Sequence, residues 1–184
     1  MVNALWMLIE TLGSLLASAC VLRAIAWSQQ LSARNPVMQF VIAVTDWIVK
    51  PLRRLIPTSR RLDLASLLAA FLVALVLALA YSSLLLARGP VLGSVVIVAV
   101  FWLCKWSIYL VIALVLLQAL LSWVNPGAPL TPVIDHLTRP FLAPIRRVLP
   151  LIGGVDLSPL VLVLAAQVLL MLLESVLASA LRIF

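Results

Sequence analysis

PLRRLIP at residues 51–57 returns as PIRRVLP at residues 144–150, 93 positions later, and the same offset carries Asp63-Leu64 onto Asp156-Leu157 and Thr45 onto Thr138. Upstream, an offset of 96 carries Trp6 and Trp27 onto Trp102 and Trp123. A repeat at fixed offset means that one supersecondary unit is built twice. The three-residue difference falls in the first half of each loop, and the two units are read as residues 1–90 and 91–184.

Each unit reads as an apolar stretch, a basic linker and a second apolar stretch. The stretches 4–27, 63–87, 102–124 and 157–181 each exceed the roughly 20 residues that a hydrocarbon core requires. In lipid the backbone N–H and C=O groups find no outside partner, so the spans must be helical. Composition agrees: of 184 residues, 65% are hydrophobic and 10% charged, with a mean hydropathy of +1.25, against about 25% charged in soluble domains. The apolar run 91–124 holds 34 residues, whereas two spans would need about 40 and a turn. It therefore supplies one span, with 106–124 in the membrane and 91–101 projecting or lying along the surface. Two spans then separate corresponding points of the units, which must share one polarity. The expected fold class is an all-α membrane protein with four transmembrane helices in two tandem parallel repeats, each helix, amphipathic basic loop, helix.

Charge orients it. The first linker carries Arg34, Lys50, Arg53, Arg54, Arg60 and Arg61, the second Arg139, Arg146 and Arg147, while Arg88, Lys105 and Arg182 lie on the other side. Nine basic residues against three place both linkers in the cytoplasm and both termini outside. Within each tryptophan pair the 21-residue spacing rises about 31 Å along a helix, close to the hydrocarbon thickness, which places Trp6, Trp27, Trp102 and Trp123 at the interfaces. A net charge of +7 is thereby explained by anionic headgroups, and nucleic acid is rejected as a partner. Leu16 to Cys20 faintly resembles a lipoprotein cleavage box, but no Lys or Arg precedes Arg23, so an uncleaved first helix is expected.

Each linker contains an interfacial helix. In the first, Asn35 and Pro36 read as N-cap and first helical residue before Val37, Phe40, Val41, Val44, Trp47 and Ile48; in the second, Thr131 and Pro132 take those parts. Pro51, Pro140 and Pro144 should break or kink the path. The doublets Arg53-Arg54 and Arg146-Arg147 sit where phosphate is abundant and guanidinium suits it, so they are the candidate lipid- or partner-binding residues, with plain positive-inside anchoring as the competing account. Asp63 and Asp156 are expected to cap the next helix and to pair with the upstream arginines.

Chemistry has little support. Cys20 and Cys104 lack metal spacing, and His136 reads as a solvated loop residue without nucleophile or second ligand. No catalytic, cofactor-binding or metal residues are assigned. Glu10, Arg23 and Glu174 lie near span ends, where they can snorkel; only Ser14, Gln118 and Gln167 offer polarity deeper in, and helix–helix hydrogen bonding is their expected work. Carriers usually keep an ionisable group there.

The duplicated P-[LI]-R-R-x-[IL]-P followed by Asp, with LLSW at 120–123 and GGVDLSP at 153–159, resembles the YggT family, also called YlmG, over nearly the whole chain. The resemblance implies a small multi-pass protein of the bacterial inner membrane with no established enzymatic activity; neither an enzyme nor a cofactor is expected. The roles it implies are osmotic or ion stress tolerance, cell division and membrane organisation, and, in plastid relatives, nucleoid distribution and cytochrome assembly. The first copy departs from the pattern: Trp47 stands against Pro140, Thr58–Arg61 against the Gly-Gly stretch, and Ala65-Ser66 against Ser158-Pro159. The second linker is the better bet for function. The expected role is a membrane organiser or assembly factor that contacts anionic lipid, a membrane-protein partner or a second copy. The alternative is an ion or small-solute channel, with a path beside Gln118 or Gln167.

Overall fold

The computed structural model describes residues 2–56, 62–85, 92–125, 127–149 and 156–181. Six helices cover these residues: α1 (Val2–Ser28), α2 (Pro36–Leu55), α3 (Leu64–Leu85), α4 (Leu92–Val124), α5 (Thr131–Arg146) and α6 (Ser158–Leu181). Four of them, α1, α3, α4 and α6, are long and apolar enough to cross a membrane. Arg60, Arg61, Arg88, Arg182 and the Gly153-Gly154 pair lie outside the described residues.

The chain forms two compact units, one from Met1–Ser107 with Ser175–Phe184, the other from Ile108–Glu174. In the first, α1, α2 and α3 pack on one another. Small residues allow the approach: Ala17, Cys20 and Ala24 of α1 and Ala70, Ala74 and Ala78 of α3 are all buried. Lipid tails match leucine for apolarity, so spans associate by close van der Waals contact, and small side chains let backbones approach. Gly13 continues the α1 stripe, and a Cβ there would overlap the Leu77 side chain. The helix ends on Gln30 in the left-handed region at φ 55, and Leu31 N–H bonds back to Ala26 O at 3.0 Å, closing it in the way glycine usually does.

Trp6, Tyr81 and Trp102 meet with ring centroids 5.5 to 6.4 Å apart, and Trp106 extends the group at 5.7 Å from Trp102. In the second unit the core is Val115, Leu142 and Leu162, one residue from each of α4, α5 and α6.

Three expectations are narrowed or changed. Helix α4 is continuous from Leu92, so of the two alternatives for residues 91–101 it fits a projecting extension of the span rather than a separate segment lying along the surface; the stretch has no breaker strong enough to end a helix that already propagates from its apolar half. Of the break or kink expected at Pro51, Pro140 and Pro144, the break does not occur: all three lie inside α2 and α5. A proline deletes one backbone bond, and burial of Val49 and Leu142 beside these prolines holds the helices through the gap. Finally, Thr131 is the first residue of α5 rather than its cap: Leu130 occupies that position with no side-chain bond. Asn35, by contrast, caps α2, its Oδ1 accepting from Val37 N–H at 2.9 Å.

Candidate functional site

Helices α2 and α5 differ from the other four in being strongly amphipathic, and both candidate doublets stand at their C-terminal ends. Basic residues there oppose the negative end of the helix dipole. Helix α2 divides into three sectors. Met38, Val41, Thr45 and Val49 are buried; Phe40, Val44 and Trp47 form an exposed apolar stripe; Gln39, Lys50 and Arg54 form an exposed polar edge. A helix lying in a membrane surface presents such an apolar stripe beside such a polar edge.

Each amphipathic helix is clamped to an apolar one by buried polar contacts. Arg23 of α1, only 4% exposed, donates through Nη1 to Thr45 Oγ1 at 2.8 Å and to Asp46 Oδ1 at 2.9 Å. It therefore does not snorkel. Lys50 reaches the other oxygen of Asp46, and these partners hold the Asp46 carboxyl below its ordinary pKa although burial pushes it up. In the second unit, Gln118 of α4 donates to Asp135 Oδ1 at 2.7 Å and accepts from Thr138 Oγ1 at 2.8 Å. Its amide belongs to the helix–helix contact.

The doublets split in the same way in both units: the first arginine turns to an aspartate ten residues on, and the second is exposed. Arg53 Nη2 donates to Asp63 Oδ2, which also accepts from Ser66 Oγ at 2.7 Å, while Oδ1 caps α3 through Ser66 N–H. Asp63 is fully buried, and Arg53 also lies 4.9 Å from the Trp27 ring centre. Burial pushes the Asp63 carboxyl up, but the bonds from Ser66 and Arg53 outweigh it and hold its pKa below the ordinary value. Arg146 Nε donates to Asp156 Oδ2 at 2.8 Å, Asp156 Oδ1 accepts from Ser158 N–H at 2.9 Å, and Arg146 Nη1 lies 3.7 Å from Asp135. Here too bonds from Ser158 and Arg146 overcome burial and depress the carboxyl.

The two pairs are not equally open. The Arg53 side chain is 27% exposed and its aspartate 0%, against 37% and 31% for Arg146 and Asp156. A half-buried guanidinium covered by a ring and bonded to a fully buried carboxylate reads as a structural joint; the second pair, with both members more exposed, can still meet a ligand from outside. Arg54 and Arg147 are both exposed. His136 is a half-buried residue of α5, not a loop residue. Among the described residues no three His, Cys, Asp or Glu side chains are placed to hold a metal ion. The helix–helix hydrogen bonding expected of Gln118 is present, whereas the Arg23 clamp and the partners of both were missed in the sequence, although the offset that pairs Thr45 with Thr138 was the available signal.

The CCB3/YggT family model matches residues 2–84 and 97–177. The chain is 36% identical over 180 residues to the uncharacterized protein YggT of Escherichia coli K12, covering 96% of this chain and 93% of that one. It is likewise 36% identical over 168 residues to the uncharacterized protein in the proC 3' region of Vibrio alginolyticus, covering 90% of each. No solved structure matches the chain.

Proposed function

Because this chain belongs to the CCB3/YggT family, we propose that it is a non-catalytic protein of the bacterial inner membrane that organises lipid or assembles a membrane partner through two basic amphipathic helices. On this reading residues 1–90 and 91–184 are tandem repeats of one polarity, α2 and α5 lie on the cytoplasmic face, and both termini lie outside. The excess of basic residues in the two linkers supports that orientation.

One observation carries the reading: α2 and α5 are clamped to apolar spans by buried polar contacts, through Arg23 and through Gln118. Basic residues on helices held this way form a fixed display at headgroup depth, where each contributes about 1 kcal/mol towards anionic lipid. The same contact counts against a conducting path beside Gln118, one of the two glutamines such a path could use, because that residue is committed to Asp135 and Thr138.

The test is retention by the full-length protein in native-lipid particles. Arg146→Gln with Arg147→Gln should remove enrichment of anionic lipid, or of a crosslinked partner, while membrane insertion is kept; unchanged enrichment overturns the reading. Gradient-driven flux through purified protein in liposomes would favour a channel instead.

A further inference from the structure

The second unit contains a cleft of about 700 Å³, inside the range of roughly 300–1,000 Å³ typical of small-molecule sites. Its walls are apolar: Leu116, Leu120 and Trp123 from α4 face Leu157, which immediately precedes α6, and Leu160 and Leu164 within it. All six are at least 37% exposed, so the cleft opens sideways along helices that are long and apolar enough to cross a membrane. Its polarity is gathered at one end. Arg146, Asp156 and Ser122 line the mouth, whereas Gln118, further along, has its amide taken by Asp135 and Thr138.

We propose that this cleft holds one glycerophospholipid of the bilayer, with an acyl chain along the α4 and α6 walls and its phosphodiester at Arg146. The inference deepens the function proposed above and needs its apolar helices to lie in lipid, but of the doublet residues it uses Arg146 alone and does not need Arg53, Arg54 or Arg147 to recruit anything. Leu157 to Leu164 rises about 10 Å, some two thirds of one leaflet's hydrocarbon, so the wall matches a chain and not a compact solute. Water in an apolar slot would lack hydrogen-bond partners, which leaves hydrocarbon as the natural filling. At the mouth, a guanidinium has five N–H donors. Arg146 gives Nε to Asp156, has Nη1 at 3.7 Å from Asp135, and keeps a 37% exposed side chain on the cleft. Its remaining donors can meet phosphate oxygens in the forked geometry guanidinium favours, while the two carboxylates hold the group in place.

Native mass spectrometry of the full chain released from detergent tests this. The probes are phosphatidylethanolamine, phosphatidylglycerol and, lacking the phosphate, diacylglycerol. One phospholipid should survive activation that strips the rest, and the two headgroup arms decide which is preferred. Leu160→Trp, or Leu164→Trp should that variant fold poorly, fills the slot and should abolish the adduct. Arg146→Gln should weaken it by about tenfold or more, the scale of a lost charge-assisted bond. Val176→Trp, an exposed α6 position outside the cleft, should leave it intact. An adduct that survives both tryptophans, equal retention of diacylglycerol, or a Leu160→Trp change seen only in oligomeric mass would overturn the proposal. Arg147→Gln, outside the cleft, separates the two readings: unchanged anionic enrichment counts against the organiser while the single adduct persists.

Discussion

Arg23, within the apolar helix α1, is 4% exposed and donates to Asp46 on α2 at 2.9 Å. A charge this deep is stable only with its partner, because removing one member strands the other in a medium that cannot solvate it. Asp46→Asn should destabilise the protein by about 3 kcal/mol, read as thermal or denaturant unfolding in detergent. Arg23→Met together with Asp46→Asn should recover much of that loss. If the double variant is as unstable as the single one, Arg23 does not act through Asp46.

Acid should loosen the linkers before the spans. Asp46, Asp63 and Asp156 all have folded pKa values below the ordinary one, which is about 3.9 for an unfolded chain. The unfolded state then binds protons that the folded state refuses, so these groups stabilise the fold above about pH 4 and lose that contribution as pH falls through their folded values. Unfolding measured from pH 6 down to pH 2 should show the loss below about pH 4, and Asp63→Asn should flatten it. A loss centred above pH 5 would contradict the assignment.

Gly13 meets Leu77 where α1 and α3 approach. Gly13→Ala should cost about 1–3 kcal/mol through overpacking, and a larger side chain more. Leu77→Ala opens space at that point, so the pair should be less destabilised than the two single changes summed, a coupling that a double-mutant cycle measures. Strict additivity would show that the two residues do not compete for one volume.

Single cysteines placed at Arg54 and Arg147, in a chain with Cys20→Ala and Cys104→Ala, should both react with a membrane-impermeant thiol reagent only from the cytoplasmic side. Labelling from opposite sides would overturn the shared polarity of the two repeats and the proposed role with it.

The residues differ in how far they could be read. Four apolar stretches announced four long helices because transfer into hydrocarbon is nearly additive along a chain, and length alone decides whether a stretch can span. Composition likewise pointed to an amphipathic α2 and α5. Local rules were least decisive where neighbours matter: Pro51, Pro140 and Pro144 could break or kink a helix, and with Val49 and Leu142 packed beside them they do not break it. Nothing local ends α4 at residue 101 either, and it runs on from Leu92.

What the sequence determined by itself was the solvent, the four long helices and the pairing of basic doublets with a downstream aspartate to choose from. Only the tertiary structure decided that Arg53 and Arg146 are the members that turn to Asp63 and Asp156, that the first pair is less exposed than the second, that Arg23 serves as a clamp and that the partners of Gln118 are Asp135 and Thr138. Hydropathy is a property of each residue against its solvent, and it can be summed in one dimension. A hydrogen bond between residues 20 positions apart exists only once packing has brought two particular atoms within 3 Å, and no sum along the chain contains that distance.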